Sequence, residues 1–292
     1  MIPMKTCVLA SCLMIAGLTQ AVQAADSSAA LEKAIEARSE QDRSRDGARH
    51  PAQTLTFFQV QPGMTVAEAL PGGGWYTNIL ANYLGGEGTL YGVNYADTMW
   101  PMFSFATEEF TAKRIASTAR FPDKVKEFTD NGINTAGFTF DTVPPNTVAT
   151  VDRVLLIRAL HNLNRFESQA GTRSQALSAV HSMLKDDGLV GVVQHRAPES
   201  ASDAWADGNK GYLKQSAVIA MFEQAGFQLM AKSEINANSK DKPGAKDMVW
   251  RLPPSLRTSK EDPELRATMI DIGESDRMTL LFRKLPQSDQ AM

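Results

Sequence analysis

The sequence predicts an α/β domain built on a largely parallel sheet of about seven strands, with helices covering both faces. Three observations carry that prediction. Short apolar runs alternate with stretches of helical periodicity along the chain, the pattern of successive strand–helix–strand units. Three consecutive glycines, Gly72–Gly74, stand between the first such run and the first such helix. The 292 residues hold only two cysteines, Cys7 and Cys12, both near the start, so a large apolar core must stabilise the domain in place of disulfides or a cysteine-bound metal.

Residues 1–24 have the composition of an export signal: Lys5 is the basic start, Cys7 to Leu18 form a short apolar core, and Val22-Gln23-Ala24 offers small residues before Ala25. Cleavage after Ala24 would release a periplasmic protein, because the apolar core is shorter than the roughly 20 residues that span a bilayer. Leu9-Ala10-Ser11-Cys12 has the look of a lipoprotein cleavage site, but the apolar run continues past it, which argues against anchoring at Cys12. Stable membrane insertion after cleavage is not expected.

Residues 25–48 read as a helical extension, with a thin apolar stripe at Leu31, Ala34 and Ile35 in a peripheral helix over Ala29–Ser44 that Gly47 and Pro51 end. The domain proper spans 49–285, leaving a tail over 286–292. Gln61-Pro62-Gly63 turns the chain into a short buried strand of Val66, Ala67, Ala69 and Leu70, and Pro71 biases Leu70 toward extended backbone. Ile79, Leu80, Tyr83 and Leu84 then recur at helical spacing. Leu90–Val93 forms a second strand, Glu108–Ser117 a helix, Lys124–Phe140 contains a third strand, and Val151–Leu156 is a fourth. A helix over Thr172–Leu184 is stopped by Asp186-Asp187-Gly188 before the strand Leu189–Val193. The helix Ser216–Ala225, capped by Gly226, leads into the strand Phe227–Ala231, and Met278–Phe282 closes the series. Between these last strands lies a 236–276 insertion containing Pro243-Gly244, Trp250 and Pro253-Pro254; its length points to a lid or a partner surface, with passive embellishment as the alternative.

In such sheets ligands bind beyond the carboxyl ends of the strands, near the point where strand order reverses. That places Leu70–Tyr76, Asn94–Asp97, Arg158–Asn162 and Gln194–Ala197 around one cleft. The glycines let the backbone turn sharply and approach a ligand, and the free amides and positive helix end that follow suit a carboxylate or a ribose hydroxyl. The same glycines would also serve as a plain tight connection. Leu70 and Trp75 occupy positions where a G-x-G-x-x-G fingerprint needs glycine, and no lysine–hydroxyl pair follows, which disfavours dinucleotide and triphosphate chemistry. With 30 basic and 33 acidic residues, a net charge of −3, the chain offers no general attraction to nucleic acid.

PGGGWYT, ALHNL, QHRAPE, GYLKQSAVIAMFEQAGF, SEINANSKD and IGESDRMTLLFRK, in that order over most of residues 45–285, together resemble an exported subgroup of the class I S-adenosylmethionine-dependent methyltransferases. The resemblance implies a Rossmann-like doubly wound sheet whose last strand is antiparallel, S-adenosylmethionine as cofactor and a small-molecule acceptor. It also implies that Glu68, Gly72, Gly73 and Gly74 meet the cofactor's methionine end. Asn94 stands where the family commonly has a ribose-binding carboxylate, with Asp97 three residues on, and Leu70 replaces a glycine frequent in the family turn.

Methyl transfer consumes charge at the sulfonium, so the protein must align the reacting atoms in a water-poor pocket; a base is required only if the nucleophile carries a proton. His161 and His195 follow strands and should reach the ligand edge, as that base or as groups that shape the cleft. Trp75 and Tyr76 either stack on the cofactor or pack in the core. Asn162, Arg196 and, just before the domain, His50 are weaker substrate-side candidates, and Arg158 and Arg196 equally suit ion pairs with neighbouring carboxylates. His181 reads as packing or surface. His161 and His195 with Asp203 or Asp207 lack ligand-motif spacing, so no metal is expected. The rival readings are an exported binding protein that keeps the fold without transfer chemistry and an oxidoreductase with unusual glycine spacing; the oligomeric state is open.

Overall fold

A computed structural model describes residues 25–286; residues 1–24, on which the expected export signal and Cys12 fall, and the tail residues 287–292 lie outside the described residues. Eight strands form the sheet: β1 (Thr65–Ala69), β2 (Thr89–Asn94), β3 (Asn134–Thr139), β4 (Val151–Ile157), β5 (Leu184–Ala197), β6 (Leu213–Lys214), β7 (Phe227–Ser233) and β8 (Arg277–Lys284). Their order is β3-β2-β1-β4-β5-β8-β7, with the two-residue β6 attached to the end of β5. Pairing is parallel from β3 to β5, and β8 runs antiparallel to both β5 and β7. Strand order reverses between β1 and β4, which opens a crevice beyond their carboxyl ends.

Alternation along each strand divides the core between the two faces of the sheet. Ala67, Ala69, Val154, Leu156, Leu280 and Phe282 pack on one side, and Val66, Leu155 and Leu281 on the other with Ile79 and Leu80 of the helix Trp75–Leu84. Being buried on both faces, these strands read as nearly continuous apolar runs.

The extension departs from the expected single peripheral helix. A helix over residues 25–36 is followed by the short helices Glu40–Arg43, capped by Ser39, and Asp46–Arg49. Gly47 lies inside the latter, and Pro51 begins a further helix, Pro51–Phe57, where its missing N–H costs nothing. Nor is the extension peripheral: Leu31 and Ala34 are buried in the core, and Ser27 Oγ lies 2.6 Å from Tyr83 Oη. Leu70 also differs, with φ at +54° in the left-handed region where extended backbone was expected, while its amide donates to the Val93 carbonyl at 2.8 Å. The ladder thus persists one residue past β1 and overrides the local bias of the following proline. A helix over Phe121–Lys126 escaped sequence reading. Among the described residues no helix is long and apolar enough to cross a membrane.

Candidate active site

A cavity of about 770 Å³ occupies the crevice beyond β1 and β4. Its first wall is the glycine turn. Gly72 (φ +60°) and Gly74 (φ +85°) take left-handed backbone, and Gly74 donates its amide to the Pro71 carbonyl at 3.0 Å. A Cβ on Gly74 would stand 2.8 Å from the Phe128 ring, so glycine is needed there for packing as well as for φ. Gly73 differs: its φ is ordinary, and a Cβ would meet nothing within 4 Å because it would enter the cavity. The amides of Gly72 and Gly73 donate to no acceptor among the described residues, as expected at the start of a helix. Beneath the turn, Glu68 is buried and accepts from Thr77 Oγ1 at 2.6 Å. Burial raises its pKa to about 7, against the opposing hydrogen bonds from the Thr77 side chain and amide.

Trp75 and Tyr76 both line the cavity and both anchor it. The Trp75 indole N–H donates to the Asp42 carbonyl at 3.0 Å, and the Arg38 and Arg49 guanidinium carbons lie 4.7 Å and 4.5 Å from its ring centroid. Tyr76 meets Trp75 edge-on.

The opposite wall rises from the ends of β4 and β5. Arg158 leaves β4 with φ at +58°, its amide donating to the Val193 carbonyl at 2.7 Å. The helix Leu160–Arg165 that follows carries His161, Asn162 and Arg165 to the cavity. His161 and His195 lie with ring centroids 5.5 Å apart. Gln194 donates through Nε2 to the Gly211 carbonyl at 2.8 Å, which turns its Oε1 toward the His161 amide and Nδ1, each 3.3 Å away. An acceptor at that position keeps the proton on Nδ1, so Nε2 is the basic nitrogen of His161. Burial first, and then Arg158 and Arg165, lower the His161 pKa to about 4, against the Gln194 hydrogen bond. His195 Nδ1 is 2.6 Å from Ser275 Oγ, and its pKa is lowered by burial and by His161, Arg158, Arg277 and Arg49. Both imidazoles are therefore neutral near pH 7.

Tyr95, Trp100 and Phe103 form an aromatic flank, and Met248 and Trp250, from the segment between β7 and β8, also line the cavity, the Trp250 ring meeting His161 edge-on. Behind the cavity, Glu274 accepts from Arg45 Nε at 2.9 Å, Arg49 Nε at 3.2 Å and Arg277 Nη1 at 2.9 Å. These groups come from the extension and from the segment that enters β8.

The structure thus gathers Glu68, Gly72, Gly73, Gly74, Trp75, Tyr76, His161, Asn162 and His195 around one cavity, and leaves four other candidates off its wall. Asn94 is buried with its side-chain amide donating to Thr118 Oγ1 at 2.9 Å, and Asp97 is exposed one turn further on. Of this stretch, Tyr95, between them, is the residue that lines the cavity. Arg196 is held by Glu234 and Asp276 at 2.7 and 2.9 Å, and His50 is a left-handed cap between two helices. Sequence reasoning brought Arg49 and Gln194 to the cleft without giving either a role, and it left out Arg45, Trp250 and Glu274. A signal for Glu274 existed: if the last strand is antiparallel, the residues before it fall on the ligand edge, and ESDR stands there.

No family model matches the chain, and no curated protein is similar to it. Solved structures are. The [4+2]-cyclase SpnF superposes with a TM-score of 0.51 at 12% identity, covering 82% of this chain and 80% of that one. A chain from the complex of the Haloferax volcanii Trm112 methyltransferase activator gives 0.50 at 15% identity, covering 85% and 94%. The chain has the Rossmann-like class I methyltransferase fold. An S-adenosylmethionine-dependent methyltransferase from Aquifex aeolicus aligns at 16% identity over 70% of this chain and 93% of its own with a TM-score of 0.45. That fold hosts more than one chemistry, since SpnF is a cyclase, so function has to be argued from the cavity.

Proposed function

We propose that the protein transfers a methyl group from S-adenosylmethionine to a small molecule. The observation that carries this reading is the pair of unpartnered amides at Gly72 and Gly73, beside open space at the amino end of the helix Trp75–Leu84, where the amino-acid tail of the cofactor fits. Phe105 and Phe110, which line the cavity with part of their rings exposed, offer apolar surface for the adenosine. The donor set is incomplete at the ribose, where Asn94 is committed to Thr118. When bound, the cofactor supplies an electrophilic methyl on a positively charged sulfur. The chain's part is to hold that methyl against the acceptor and keep water out, a task that suits Met248 and Trp250 on the insertion side. His161 Nε2 takes the proton of a protonated nucleophile, with Gln194 fixing the tautomer, and His195 shapes the same wall. Export to the periplasm, with cleavage after Ala24, belongs to this proposal and rests on the residues of 1–24.

Calorimetric titration with S-adenosylmethionine and S-adenosylhomocysteine tests the reading. Micromolar binding of both, about −8 kcal/mol, is expected. A folded protein that binds neither would remove the methyl-transfer reading and leave a binding protein on the same fold.

A further inference from the structure

Charge in the cavity is unbalanced, and the imbalance says something about the acceptor. Six arginines line it, Arg45, Arg49, Arg114, Arg158, Arg165 and Arg257, against two acids, Asp42 and Glu68. Of those acids, Glu68 sits at a pKa of about 7 and carries only part of a charge there. At the inner end, four guanidinium groups, those of Arg45, Arg49, Arg158 and Arg277, share the single carboxylate of Glu274. Three of them reach Glu274 directly, whereas the Arg158 side chain makes no hydrogen bond or ion pair with any described residue. Arg158 is also placed by a left-handed residue at the carboxyl end of β4, a strained backbone of the kind retained at functional positions. Burial lowers its pKa to about 10 and that of Arg49 to about 9, so both remain cationic at neutral pH.

A partly buried cation that shares one carboxylate with three others is under-compensated unless a ligand supplies a further anion. The cofactor does not: it brings one carboxylate with one ammonium and one sulfonium, and so adds positive charge. Its carboxylate already has the Gly72 and Gly73 amides. Resting on the methyl-transfer reading, we propose that the methyl acceptor is an oxyanion-bearing small molecule, a phosphate monoester or a dicarboxylate, whose anionic group lies on Arg158 beside Arg49. A guanidinium's planar fork matches either oxyanion in a bidentate arrangement. The neighbouring histidines are coupled to the same site. Arg158 helps hold both His161 and His195 neutral, so an anion on Arg158 raises their proton affinity and improves His161 as a base only when substrate is present.

The test is calorimetric titration of the whole protein, alone and saturated with S-adenosylhomocysteine, with inorganic phosphate and with succinate as probes at fixed ionic strength. At least one probe should bind the wild type with a sub-millimolar Kd and bind Arg158→Gln at least tenfold more weakly, with Arg158→Lys recovering part of the loss. Affinity for S-adenosylhomocysteine should change by less than about threefold in both variants. The stronger of the two probes assigns the oxyanion. Imidazole resonances should report a rise in the His195 pKa on adding the probe to wild type, and this readout stands alone if Arg158→Gln does not fold. The proposal fails if neither probe binds, or if Arg158→Gln loses S-adenosylhomocysteine and probe in step, which would give Arg158 to the cofactor carboxylate. Arg158-dependent probe binding by a protein that takes no S-adenosylhomocysteine would uphold the oxyanion site and sink the methyl-transfer reading instead.

Discussion

The two walls of the cavity solve the problem of receiving a ligand in different ways. The glycine wall is local: Glu68 to Tyr76 is one continuous stretch, and it offers neutral backbone amides and a carboxyl held near neutrality. The basic wall is assembled from residues far apart in sequence, Arg45, Arg49, Arg158 and Arg277 around Glu274, and it offers charge. Amides tolerate an empty site because water can serve them, whereas clustered guanidinium groups repel one another unless anions intervene. The basic wall is therefore where stability and ligand binding should be most tightly coupled.

The largest effect should follow from Glu274→Ala. It removes the one carboxylate shared by Arg45, Arg49 and Arg277 and leaves those cations uncompensated, at a cost of about 3 to 5 kcal/mol. Urea denaturation measures the loss, and added phosphate should restore part of it if the cluster accepts anions. On the other wall, Gly73→Val should leave the urea midpoint close to wild type, since its side chain enters open space, yet weaken S-adenosylhomocysteine by at least about tenfold. Gly74→Val reverses the pattern: φ at +85° and the Phe128 ring make it a folding defect. Equal behaviour of the two variants would erase the distinction between a ligand-facing and a packing glycine.

That contrast also explains what could be read in advance. The strand and glycine wall was legible because each strand is a single apolar run and the turn chemistry lies within a few residues. Leu70 shows the limit: the following proline is a local bias, and the hydrogen bond to Val93, made by a strand distant in sequence, overrode it. The pairing of Arg49 with Glu274 was illegible for the same reason on a larger scale, since nothing near either one announces a partner more than two hundred residues away. Asn94 was placed correctly at the end of β2, but the alternation that turns its side chain toward Thr118 depends on strand register, which a family pattern does not carry.

Stability against pH separates the walls again, with opposite signs. His161 has a folded pKa of about 4 against 6.5, so the unfolded chain binds more protons between those values and stability falls as pH drops through the window, by up to roughly 3 kcal/mol. His161→Gln should flatten that acid limb, and if the residue is the base it should lower turnover by about 100-fold or more while sparing cofactor affinity.

Glu68 pulls the other way, with a shift of similar size and opposite sign. Its folded pKa of about 7 exceeds 4.5, so here the folded chain binds more protons, and stability declines as pH rises from 4.5 through 7. Glu68→Gln keeps an oxygen that can accept from Thr77 Oγ1 and removes the titration, so it should stabilise the protein above pH 7 by about 1 to 3 kcal/mol and change little at pH 4.5. Bound S-adenosylmethionine sharpens the comparison. Its ammonium beside the glycine turn should draw Glu68 back toward the carboxylate, so the advantage of Glu68→Gln should shrink in the liganded protein. An advantage that survives saturation with cofactor would mean that Glu68 supports the turn without sensing the ligand it carries.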